Sequence, residues 1–243
     1  MKQRFLINKK ISNKIVQHSI CEYFPNNKND LINIIKNLID QKIYNLNCID
    51  VSKIQDMSYL FGVNILLTKD ILKVIDISNW YVNNVIDMSY MFEDCESFNC
   101  DISNWDVSNV TNMDRMFSGC KKFNQDISGW DVSNVIDMSH MFEGCENFNQ
   151  PLNDWDVSNV EDMSGMFSGC KKFNQPLYKW NMKSVRYLEH MMFGCDSFNQ
   201  PLNDWNLSNA ISVNSMFSRC SKLNKSYILF KLNDNLKYEY MLN

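Results

Sequence analysis

Thiols are the most abundant reactive groups in this chain, and their spacing decides what they can do. Of its nine Cys, six recur every 25 residues: Cys95, Cys120, Cys145, Cys170, Cys195 and Cys220. Zinc sites need close ligand pairs of the C-x₂₋₄-C kind. Here Cys95 and Cys100 form the one close pair, with no His near them in sequence. Disulfides between equivalent Cys of adjacent units would fit the usual Cα separation. Side chains stacked in parallel point the same way, however, and no export signal is evident. The reading is a ladder of buried, reduced thiols packing as small hydrophobes, with no metal and no cofactor. His140 and His190 share one position in units two apart, so about 10 Å separates them, too far to hold one ion. Neither G-x-S-x-G nor a phosphate-cradling glycine loop is present. Nothing here points to an enzyme; one built on a periodic Cys or His would need a polar cluster that breaks the pattern.

The elements that position these thiols share their period. Trp80, Trp105, Trp130, Trp155, Trp180 and Trp205 are 25 residues apart, and so are Asn99, Asn124, Asn149, Asn174, Asn199 and Asn224. A strict period of this length means stacked structural units. With Trp as position 1, apolar residues fall at positions 1, 3, 6, 9, 12, 13, 16, 19 and 23. Val110, Met113, Met116/Phe117 and Cys120 are three to four apart, which predicts one face of a short helix. Ser108 or Asn109 would cap its start. Gly119, Gly144, Gly169 and Gly194 would end it in the left-handed conformation. Phe123–Ile127 reads as a short strand. Such a unit cannot bury its apolar face alone, but a stack of them buries a continuous core. The Asn series reads as a ladder satisfying backbone groups of neighbouring units, and the Trp series as core.

The expected fold is therefore an α/β repeat solenoid, a right-handed stack of short parallel strands and short helices. Residues 1–48 read as an N-terminal cap with an amphipathic helix at 30–42, its apolar stripe formed by Leu31, Ile34, Ile35, Leu38 and Ile39 and its cap by Asn29. A degenerate unit spans 49–79, and six regular ones follow at 80–104, 105–129, 130–154, 155–179, 180–204 and 205–229. Residues 230–243 close the far end. Charge alternates along positions 17 and 18: Glu96, then Lys121 and Lys122, Glu146, then Lys171 and Lys172, then Asp196. Unlike charges in adjacent units favour correct register, although each exposed pair contributes only about 0–1 kcal/mol.

Net charge is −4, with eight Lys/Arg against three acids in residues 1–48, which leaves the body at −9. An acidic body argues against nucleic acid, whose affinity rests on phosphate neutralisation. No apolar run is long enough to span a membrane, and no signal peptide is evident, because Phe5-Leu6-Ile7 is cut by Asn8-Lys9-Lys10. An intracellular, monomeric protein is expected.

Function should lie where units differ. In 180–204, Tyr187 replaces the usual polar residue at position 8 and Phe193 that at position 14. With Tyr178, Arg186 and His190 they form a candidate partner patch, since aromatics and Arg are enriched at interface centres. Drift with local repacking is the alternative.

The tract Asn104–Ile127, NWDVSNVTNMxxMFxGCxxFNQDI, repeats after itself and resembles the BspA-like leucine-rich-repeat family, the mycoplasma-type 25-residue surface repeat. The stretch Tyr23–Ile39 is similar to the lead-in found before such repeats. The resemblance implies a leucine-rich-repeat-like solenoid. Family members are mostly bacterial surface proteins or lipoproteins linked to adhesion, and others occur in giant viruses and protists. The expectation is a non-enzymatic scaffold that binds an unknown protein through positions 10, 11, 14, 17 and 18. The rival is an adhesin exported without a recognisable signal.

Overall fold

The computed structural model describes residues 22–62 and 70–242. Expectations for residues 1–21, and for the segment 63–69 within the enlarged first unit, lie outside the described residues. The chain begins its described part with helix α1, Lys28–Asp40. Asn27 is extended (φ −157°) and its side chain accepts the Asp30 N–H at 3.0 Å. That cap starts the helix two residues earlier than the expected 30–42, because Asn27 rather than Asn29 has the required backbone. Leu31, Ile35 and Leu38 are buried, and the Lys28 ammonium lies 3.0 Å from Asp56 in the first unit.

All nine apolar positions of the unit 105–129 are buried, from Trp105 through Ile127. The backbone carrying them is not the expected one. Among the described residues of the regular units there is no α-helix at Val110–Cys120 and no strand at Phe123–Ile127. Instead, Met113, Arg115, Phe117 and Gly119 donate their N–H groups to Asp137, Ser139, Met141 and Glu143 of the next unit at 2.7–2.9 Å. The intervening Met116, Ser118 and Cys120 donate to carbonyls three residues back at 2.9–3.2 Å. The physical reason lies at positions 11 and 15, which are left-handed in every regular unit, as at Arg115 (φ 52°) and Gly119 (φ 74°). Two left-handed residues four apart turn alternate N–H groups out toward the neighbouring unit. An α-helix would keep them inside. Gly119 therefore adopts the expected left-handed conformation, but within a ladder of turns and not at a helix end.

Parallel pairing falls at position 8, where bridges run Asp56–Asp87–Asn112–Asp137–Asp162–Tyr187–Ser212. Asp or Asn there accepts the N–H two residues on, as Asp137 does from Ser139 at 2.8 Å, forming a side-chain-closed turn. At the far end, strand β1 (Asn206–Leu207) pairs in parallel with β2 (Lys231–Leu232). Helix α2 (Tyr238–Leu242) continues the ladder, its Tyr240 and Met241 carbonyls accepting from Ser215 and Phe217 at 2.6 and 2.8 Å.

Inside the stack, each periodic residue bonds across units. From Trp105 on, the Trp indoles donate to carbonyls 28 residues back, for example Trp130 to Ile102 at 3.2 Å and Trp180 to Leu152 at 2.8 Å. Cys120, Cys145, Cys170 and Cys195 donate their thiols to Phe92, Phe117, Phe142 and Phe167 carbonyls at 3.0 Å. Asn124, Asn149, Asn174, Asn199 and Asn224 each give their backbone N–H to the side-chain oxygen of the previous Asn at 2.9 Å. Two Phe stacks run beside them, Phe61–Phe92–Phe117–Phe142–Phe167 at 5.3–5.8 Å and Phe98–Phe123–Phe148–Phe173–Phe198 at 5.9–6.1 Å. The alternating charges meet, with Lys121–Glu96 at 2.8 Å and Lys171–Glu146 at 3.1 Å.

Candidate interaction surface

The same turn ladder that buries positions 9, 12, 13 and 16 leaves most residues at positions 10, 11 and 14 at least partly exposed, although Ser89, Ser118 and Ser139 are buried. Along position 11 the residue changes at nearly every unit: Tyr59, Tyr90, Arg115, His140, Gly165, His190, Ser215. The Tyr59 and Tyr90 rings stack at 4.4 Å, and the Arg115 guanidinium lies 5.9 Å from the Tyr90 ring. Arg115 reaches on to the Glu143 carboxylate at 3.3 Å, which His140 also contacts at 2.9 Å. The His140 hydrogen bond holds the Glu143 carboxyl below the usual range. Burial, and then the carboxylate of Asp94, pushes Glu93 up. Burial and a hydrogen bond to Asp114 push the Tyr90 hydroxyl up to about 12. His140 is thus half-buried and carboxylate-bound. Its ring fills the space that a side chain at Gly165 would need.

The five residues expected to form one patch separate into parts. His190 and Phe193 touch, with ring centroids 5.5 Å apart, and the Arg219 guanidinium caps Phe193 at 5.1 Å. Phe193 is outside because this unit slips its aromatic by one place: Met192 takes the core site and is fully buried. Phe193 and Arg219 border a depression of about 390 Å³ together with Glu143, Ser168 and Lys171. Arg186 lines a different groove, of about 750 Å³, with Lys183, Glu161 and Ile211. Tyr187 stands at position 8, where it cannot close the Asp-type turn, and is 37 % exposed; Tyr178, in the preceding unit, is 49 % exposed.

Sequence reasoning named positions 10, 11 and 14 as a surface but did not single out Tyr59, Tyr90, Arg115 and Glu143 on it. The signal was present, since position 11 changes chemistry between units whose core positions hardly change. It also missed a second Asn ladder at position 5. There Asn109, Asn134 and Asn159 donate their amides to the preceding unit at 2.7 Å, so Asn109 is a cross-unit tie and not a helix cap.

The eight described Cys are free thiols, and burial pushes the Cys95 thiol up to about 12. Among the described residues no group of His, Cys, Asp or Glu is arranged to hold a metal ion, and no helix is long and apolar enough to cross a membrane.

Core residues that recur every 25 residues and bond from unit to unit, under a surface that varies, define a tandem-repeat protein. The chain belongs to the family described as Mycoplasma protein of unknown function, DUF285, the BspA-like mycoplasma repeat; the family's profile matches residues 29–153 and again 126–230. No curated protein and no solved structure matches the chain.

Proposed function

We propose that this chain is a non-enzymatic protein-binding scaffold, a leucine-rich-repeat-type solenoid that engages a protein partner through positions 10, 11 and 14. One observation carries the reading. Along the stack, Tyr59, Tyr90, Arg115, His140, His190, Phe193 and Arg219 form a strip of changing aromatic and cationic side chains on an unchanging backbone. Aromatic residues and Arg are the types that dominate interface energetics. A regular backbone with residue-by-residue variation is how stacked repeats build extended binding surfaces.

The test is affinity purification from native cells with the intact chain and with two strip variants, Tyr90→Ser/Arg115→Ser and His190→Ser/Phe193→Ser. A partner retained by the intact chain and lost with both variants, at unchanged melting temperature, supports the reading. Partners retained equally by all three reject it.

A further inference from the structure

A second stripe lies at position 7, separate from the strip above: Ile86, Thr111, Ile136, Glu161, Arg186 and Ile211. From Thr111 on, each residue's N–H bonds the carbonyl of the one before it, for example Arg186 to Glu161 at 2.8 Å and Ile211 to Arg186 at 2.7 Å. The side chains are therefore in register along the stack, about 4.8 Å apart. Ile86, Ile136 and Ile211 are 43–49 % exposed.

Glu161 and Arg186 are neighbours of opposite charge at a 25-residue offset. Three other such pairs close across that offset: Lys121–Glu96, Lys171–Glu146 and Lys179–Asp154, at 2.6–3.1 Å. Among the described residues, no ion pair joins Glu161 to Arg186. Both are exposed.

From Ile136 to Ile211 the stripe reads apolar, acidic, basic, apolar, an order that is its own complement when reversed. We infer that this stripe is a self-association surface whose occupant is a second copy of the chain, docked with its stack antiparallel. A two-fold axis in the interface, perpendicular to the stripe and midway between Glu161 and Arg186, sets Glu161 against Arg186 of the second copy, twice. It also sets Ile136 against Ile211, twice, and such a face is isologous.

Flanking positions favour this register. The same axis places Asp156 opposite Asn181, Ser158 opposite Lys183, and Asp162 opposite Tyr187, so no acid faces an acid. An axis one unit earlier would oppose Asp131 to Asp156 and leave Glu161 facing Ile136. The off-beat residues Asn181, Lys183, Arg186 and Tyr187 thereby acquire a common role, removing like charges from one register. The stripe is short. Four units at about 4.8 Å span roughly 20 Å, less than the ~800 Å² per partner of a standard interface requires. The dimer is thus a weak one, formed at high concentration, in place of the monomer expected from sequence.

The experiment is sedimentation equilibrium of the whole chain at low salt over a concentration series reaching about 1 mM, where weak association registers. The intact chain should dimerise. Glu161→Arg and Arg186→Glu should each weaken dimerisation by about 10-fold or more, at unchanged melting temperature. The double swap, which restores the complementary order, should bring it back to within about 3-fold. A chain that stays monomeric throughout, single variants that dimerise like the parent, or a double swap no better than the singles would each overturn the inference. None of these outcomes bears on the partner strip at positions 10, 11 and 14, so the two readings fail independently.

Discussion

The Asn ladder offers the sharpest test of how the stack is held. The perturbation is Asn149→Ala. In the structure the Asn149 side-chain oxygen accepts the Asn174 backbone N–H at 2.9 Å, while the Asn149 backbone N–H is given to Asn124. Truncation leaves the Asn174 N–H without its acceptor but spares the Gln175 amide bond, which goes to the Asn149 carbonyl at 3.0 Å. A buried donor left unsatisfied costs about 1–3 kcal/mol. Asn149 and Asn174 are half-buried, so water recovers part of that, and about 1–2 kcal/mol remains. For a chain of this size that is a fall of roughly 3–6 °C in Tm. Repeat stacks open locally, so the effect should be strongest at Asn174. The assay is thermal unfolding together with amide hydrogen exchange. Exchange at the Asn174 N–H should quicken by about 10-fold, as 1.4 kcal/mol implies. Asn149→Asp, which keeps the acceptor oxygen, should retain most of the stability at neutral pH. An Ala variant that melts and exchanges like the parent, or an Asp variant as damaged as the Ala one, would refute the ladder as a source of stability.

Thiol burial predicts that Cys120, Cys145, Cys170 and Cys195, whose thiols are all pushed up by burial, resist alkylation in the native state at pH 8 and react on unfolding. Mass spectrometry of labelled peptides would show it, and rapid native labelling at these sites would contradict it. Glu93 has a raised pKa, so its proton binds more tightly in the folded state and its charge withholds stability at neutral pH. Glu93→Gln should therefore raise the urea midpoint at pH 7 and change little below about pH 4, where both states are protonated. Glu143 has the opposite sign: its lowered pKa means that its contribution is present above the unfolded value and is lost as pH falls through the folded one. Glu143→Gln should lower the pH 7 midpoint. Gly119→Ala and Gly144→Ala both place a side chain at positive φ, 74° and 69°, for about 1 kcal/mol each. Gly119→Ala should be the worse, because its methyl also meets the Asp94 side chain, whereas nothing lies nearer than 3.7 Å at Gly144; equal melting temperatures would count against that contact.

Burial could be read from sequence and backbone could not, and one cause explains both. Spacing of three to four at Val110, Met113, Met116/Phe117 and Cys120 marks an inward face whether the chain is an α-helix or a run of turns closed by N–H bonds three residues back. Hydrophobicity reports only the inward face, so the buried residues came out right. The turns leave a different trace. Gly165 lies inside the supposed helix, a costly placement for glycine, four residues before the Gly169 expected to end it, and both have positive φ. The conformations at 11 and 15 thus show where one unit can dispense with side chains. The Met192–Phe193 slip was likewise visible in sequence, because the core position behind it is fixed by five preceding Phe. What sequence could not show is which outward residues share a surface. Arg186 and Phe193 are seven apart, which on a helix would put them on one face. On this backbone the left-handed corner at His190 reorients the chain between them, and they line separate grooves. A patch inferred from unit identity alone therefore merges two surfaces, and the variants proposed for each surface can separate them only because the turn ladder keeps them apart.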